Sequence, residues 1–82
     1  MTKAEYLGLI KEIGKSVRAN NIQYGRIFSD KRKTTGYRTK IWFAMGGGRV
    51  NEIAAIAKSI GGSAIDVEIF YKNVIITPKQ LS

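Results

Sequence analysis

Residues 36–62 constrain the fold more than any other stretch of the chain. From Gly36 to Met45 the residues alternate with period two. Tyr37, Thr39, Ile41, Phe43 and Met45 fall on one side of an extended strand, and Arg38, Lys40, Trp42 and Ala44 on the other. From Arg49 to Ile60 the period becomes helical, and Val50, Ile53, Ala54, Ala57 and Ile60 share one face. Gly46, Gly47 and Gly48 separate the two patterns, and Gly61 and Gly62 end the second. A central strand feeding a central helix is the unit against which the rest must pack.

Before this unit, Thr2 and Glu5 have capping-box spacing, a hydroxyl followed three residues later by a carboxylate. Tyr6, Leu9 or Ile10, Ile13 and Val17 then recur at helical spacing, and Asn20 and Asn21 suit a stop. The spacing predicts a helix over 3–19. Ile22 to Ser29 reads as a strand in either of two phases. One buries Ile22, Tyr24 and Phe28 and drags Arg26 inward. The other buries Ile27 and exposes Tyr24, Arg26 and Phe28. The second is favoured, because an Arg facing a core is costly. Asp30 to Gly36 has the composition of a hairpin loop, with Lys31, Arg32 and Lys33 consecutive.

After the central helix, expected over 49–60 with Gly61 as its left-handed C′ residue, Ile65 to Tyr71 alternates again. Ile65, Val67, Ile69 and Tyr71 are expected inward; Asp66, Glu68 and Phe70 outward. Lys72 and Asn73 are placed in a two-residue turn, so that Tyr71 pairs with Val74 and Ile69 with Ile76. Phe70 and Ile75 then share the outer face. Pro78 ends this strand, since it has no N–H to donate to a ladder.

The element order is α-β-β-α-β-β. It predicts an α+β fold in a single small domain, residues 1–82, with a four-stranded antiparallel sheet carrying both helices on one face. The order also suggests an internal αββ duplication, 3–45 and 49–78. At an offset of 47, Glu5, Lys11, Ile13, Gly14 and Ser16 match Glu52, Lys58, Ile60, Gly61 and Ser63. Ile41, Phe43, Ile53, Ile60, Val67 and Ile69 are the expected core between helices and sheet. Strand order is left open by these patterns.

Charge bears most directly on function. Lys and Arg number 14 against six Asp and Glu, a net charge of +8. Residues 1–44 hold ten of the basic groups and three of the acidic ones. A clustered excess of this kind favours a polyanionic partner. The chain has no Cys and no His, which removes disulfides, thiolate metal sites and the usual acid–base group near neutral pH. No cofactor or metal is expected. Its apolar runs are too short to span a bilayer, and the N-terminus lacks the apolar core of a signal peptide, so no membrane association and a cytoplasmic location are expected.

The outer face of the predicted sheet carries Tyr24, Arg26, Phe28, Arg38, Lys40, Trp42, Phe70 and Ile75. It mixes cations with aromatic rings. Single-stranded nucleic acid needs both, rings to stack bases and charges to follow phosphates. RNA recognition motif domains use an open sheet face this way, although their strand–helix order differs and their sequence motif is absent here. Gly46 to Arg49 offers a second anion site, where free backbone N–H groups open a helix. Of the carboxylates, Asp66 and Glu68 share a strand face. They are expected to balance Arg38 and Lys40 across the sheet rather than to catalyse. No nucleophile comes with a recognisable base, and no enzymatic activity is expected.

The chain therefore reads as a small basic binding module for nucleic acid or a nucleoprotein complex. The expected contact residues are Arg26, Arg38, Lys40, Trp42 and Phe70 on the sheet, Lys31, Arg32 and Lys33 in the loop, and Arg49 before the helix. The alternative reading is a protein-binding inhibitor or adaptor. Phages and mobile elements encode such proteins, and it would act on a host nucleic-acid-processing complex with an acidic surface. Trp, Tyr, Phe and Arg also anchor protein interfaces, so a second copy of the chain is a further candidate partner.

Overall fold

A computed structural model describes residues 1–32, 36–42 and 49–81, with side chains except at 28–32, 36 and 37. Thr2 opens helix α1 (Lys3–Ala19) with a complete capping box. Its N–H donates to Glu5 Oε1 at 2.9 Å, and Glu5 N–H donates back to Thr2 Oγ1 at 3.1 Å. The Thr2 backbone bond, then its side-chain bond, hold the Glu5 carboxyl below the ordinary carboxylate range. A depressed acid stabilises the fold above its unfolded pKa, and that contribution disappears as pH falls through the lowered value.

α1 ends in a Schellman motif. Ile22 N–H donates to Val17 O at 3.2 Å and Asn21 N–H to Arg18 O at 2.9 Å. Asn21 sits at φ 59°, and Ile22 is buried beside Val17. Replacing Asn21 with Ala should cost about 1 kcal/mol, because a Cβ residue without a short polar side chain is strained there. Urea unfolding would read this as a lower midpoint at unchanged slope.

Four strands follow: β1 (Arg26–Arg32), β2 (Gly36–Trp42), β3 (Ile65–Phe70) and β4 (Asn73–Pro78), with helix α2 (Val50–Gly61) between β2 and β3. The sheet is antiparallel throughout, in the order β1-β2-β4-β3. The second strand of each hairpin therefore lies at the centre, and the first strands form the two edges. The α-β-β-α-β-β order, the antiparallel sheet and the helices on one face agree with the sequence reading.

The core lies between helices and sheet. Tyr6, Ile10, Ile13 and Val17 descend from α1, and Ile53, Ala54 and Ala57 from α2. They meet Ile41, Val74, Ile76 and Ile65 of the sheet. The Tyr6 hydroxyl donates to Ile76 O at 2.8 Å, tying α1 to a central strand. Of the expected core residues, Ile41 and Ile53 are fully buried, and Ile60 and Val67 pack at the margin. Ile69 shares their side of the sheet but is 44% exposed, beyond the helices' cover. Phe43 lies outside the described residues.

Local geometry departs from the sequence reading in four places. First, β1 begins at Arg26 rather than Ile22, because the Schellman turn takes Ile22 into the core. Ile27 packs against the core and Arg26 is exposed, as the favoured phase requires. Tyr24 precedes the strand and stays on the helix side. Its hydroxyl lies 3.5 Å from Gly14 O, and the Arg18 guanidinium stacks over its ring. Second, the β1–β2 ladder runs further than the expected loop. Lys31 pairs with Tyr37 and Arg32 with Gly36, so both belong to the strand. Lys33 lies outside the described residues.

Third, α2 ends one residue later. Gly61 is its last residue, and Gly62, at φ 56°, takes the left-handed position. Gly61 is required for a different reason: a Cβ there would lie 2.5 Å from Ile65 Cγ1. Fourth, the second hairpin turns at Tyr71 and Lys72 instead of Lys72 and Asn73. Phe70 pairs with Asn73, Ile69 with Val74 and Val67 with Ile76. Asn73 Nδ2 donates to Phe70 O at 3.2 Å, which favours this earlier turn. Tyr71 is thereby lifted out of the ladder to φ 55° and 82% exposure. The change preserves which residues share a face.

Candidate nucleic-acid interface

The outer face is organised by the ladder. Arg26 pairs with Trp42, Trp42 with Asn73, and Asn73 with Phe70. These four residues form one row across all four strands at one end of the sheet. Trp42 is 43% exposed and Phe70 58%. Arg26 is exposed and Asn73 half-buried. The Tyr71 ring meets Phe70 edge-on at a centroid distance of 4.6 Å and extends the aromatic surface around the turn. Lys72 stands exposed beside it. Among the described residues, the large hydrophobics that face solvent are Trp42, Ile69, Phe70 and Tyr71, all at this end.

The next row has a different character. Lys40 pairs with Ile75 and Ile75 with Glu68. Ile75 was expected to be open on this face, yet it is only 5% exposed. Arg38 Nη2 reaches to within 3.7 Å of Glu68 Oε1, a contact from β2 to β3 that spans β4. Asp66, further along β3, lies 3.9 Å from Lys79 Nζ. The expected balancing of β3 carboxylates by β2 cations therefore holds for Arg38 and Glu68, while Asp66 meets Lys79. Both pairs are half-exposed and contribute little to stability. They nevertheless set the local field: β2 presents cations, and β3 presents two carboxylates.

The structure thus brings Arg26, Lys40, Trp42 and Phe70 to one face and puts Arg38 into an ion pair there. Lys31 and Arg32 lie at the far end of the β1–β2 ladder. Arg49 is elsewhere. It precedes α2, where its Nε contacts Glu52 Oε2 and its Nη1 donates to Asn21 O at 3.1 Å. This guanidinium staples the start of α2 to the end of α1. It is engaged with the protein itself, and the expected anion site loses its cation; Gly46 to Gly48 lie outside the described residues. Asn73 and Tyr71 were missed as surface residues. Their signal was the alternative turn position, which puts Asn73 in the row and Tyr71 at its tip.

Among the described residues there is no group of three side chains suited to a metal ion, and no helix is long and apolar enough to cross a membrane. No protein-family model, curated protein or solved structure matches the chain.

Proposed function

We propose that this protein is a small basic binding module that holds single-stranded nucleic acid on the open face of its sheet. One observation carries the reading: a single cross-strand row places a cation, an indole, an amide and a phenyl ring side by side, with both rings open to solvent. Stacking rings hold bases of any sequence, and the surplus of positive charge draws the backbone. The module acts without catalysis, in the cytoplasm, on nucleic acid or a nucleoprotein complex.

A titration of Trp42 fluorescence with single-stranded oligonucleotides tests the reading. Each phosphate contact on a single strand contributes about −0.7 to the slope of log affinity against log salt. About three contacts then predict a slope near −2, or roughly a 15-fold loss between about 50 and 200 mM salt. The cations near the rings are proposed to carry this slope, Lys31 and Arg32 being at the far end of the β1–β2 ladder. A flat salt response, with Trp42 fluorescence unmoved, would remove the assignment.

The alternative is a protein-binding inhibitor or adaptor of the kind mobile elements encode. The exposed apolar residues Ile69, Phe70 and Tyr71 at the β3–β4 turn favour it, since they add apolar surface beyond what base stacking on the sheet face requires. An aromatic interface of that kind tolerates salt.

A further inference from the structure

Resting on the nucleic-acid reading, we infer that the strand crosses the sheet at its Trp42 end, perpendicular to the β-strands, and that Asp66 and Glu68 close the β4–β3 side of the face to it. The site is then a short track. It enters at Arg26, passes Trp42 and Asn73, and leaves over Phe70 at the β3–β4 turn.

Charge and stacking surface together favour this path. A polyanion lying along the strands over β4 and β3 would run beside Glu68 and Asp66, whose side chains are 62% and 70% exposed. It would also meet a row where Ile75 is covered and offers no stacking surface. The row at the Trp42 end has no carboxylate in it. Its members are Arg26, Trp42, Asn73 and Phe70, and the turn beyond adds Lys72. Four strands about 4.8 Å apart make this row about 14 Å long. A single strand stretched so that its bases stack on separate rings fits roughly two to four nucleotides into that length. The Asn73 side chain donates to the Phe70 backbone O, which fixes its amide at the β3–β4 turn beside Phe70.

The test compares oligonucleotides of about four and twelve nucleotides on the wild-type protein and on the double variant Asp66→Asn, Glu68→Gln. Both substitutions are at exposed positions, and thermal unfolding verifies that the fold is kept. For the wild type, affinity should differ little between about four and twelve nucleotides, apart from the statistical gain of multiple registers. Removing two carboxylates near the path should raise twelve-nucleotide affinity about tenfold, by their Coulomb repulsion in water, and leave four-nucleotide affinity nearly unchanged. Phe70→Ala should weaken both lengths alike. Equal gains for the two lengths in the double variant, or wild-type affinity climbing steeply from four to twelve, would overturn the short track while leaving nucleic-acid binding intact. No response to either length from the folded protein would overturn the underlying reading as well. A poly-glutamate probe that moves Trp42 fluorescence as strongly as the oligonucleotide would overturn the inference in favour of an acidic protein segment.

Discussion

Tyr6→Ala should lower stability by about 3–5 kcal/mol, the range for removing a buried aromatic ring. The Tyr6 ring is completely buried between α1 and the sheet, and its hydroxyl is bonded to Ile76 O. The variant leaves a cavity against a central strand and a carbonyl that has lost a partner. A domain of 82 residues has roughly 4–12 kcal/mol in total. At the lower end of that range the variant stands near the threshold of unfolding at room temperature. Tyr6→Phe separates the two contributions. It keeps the ring and deletes the hydroxyl, and should cost about 1–2 kcal/mol. Urea midpoints for the pair of variants give both figures.

The same residue predicts an alkaline limit. Burial raises the Tyr6 phenol above its ordinary value, opposed by the lowering effect of its hydrogen bonds with Thr39. The folded state holds this proton more tightly than the unfolded state. The contribution is thus fully present below the unfolded pKa near 10 and is lost as pH rises above it, toward the raised folded value. Unfolding midpoints should fall above about pH 10, and the fall should be shallower in Tyr6→Phe.

Trp42→Ala should reduce affinity for a single-stranded oligonucleotide by about 5- to 150-fold, the equivalent of 1–3 kcal/mol of base stacking. Its effect on folding should stay near 1 kcal/mol, since the indole is 43% exposed and stands on the face opposite the core. The decisive feature is the split between the two effects. A structural Trp would lose stability first and affinity only as a consequence. Binding must be followed by a labelled oligonucleotide, because Trp42 is the sole tryptophan and its removal takes the intrinsic signal with it. Affinity unchanged within a factor of about two would exclude the indole as a stacking surface.

Much of this arrangement was legible in the residues. The capping box of Thr2 and Glu5, the spacing of Tyr6, Ile10, Ile13 and Val17, and the alternation around Ile41 fixed α1 and the face of β2 without further information. Those signals are periodic, and burial enforces them. Trp42 was placed outward on alternation alone and is outward. What alternation does not carry is the position of a turn along a hairpin. Moving the second turn from Lys72 and Asn73 to Tyr71 and Lys72 leaves every remaining side chain on its own face. Only a local hydrogen bond, Asn73 to Phe70, tells the two apart. Tyr24 was misread for a similar reason. Its aromatic ring suits a strand, but a six-residue hydrogen-bonded loop at the end of α1 delays the strand past it. Arg49 could not be assigned to Asn21 from sequence, since that contact joins two helices whose relative placement only the tertiary fold defines. The covered state of Ile75 depends on strand order, which brings Lys40 and Glu68 to either side of it.

The central seam has a kinetic consequence. Each hairpin pairs strands that are neighbours in the chain. The pairing of β2 with β4 is different: it must bridge the whole of α2 and β3 in the chain. Loop closure over that span precedes the contacts that reward it, so this pairing is expected to form late in folding. Ile41 and Val74 face each other across this seam. The delay before the two hairpins meet is then expected to set how long a newly made chain keeps apolar surface and strand edges available to its neighbours.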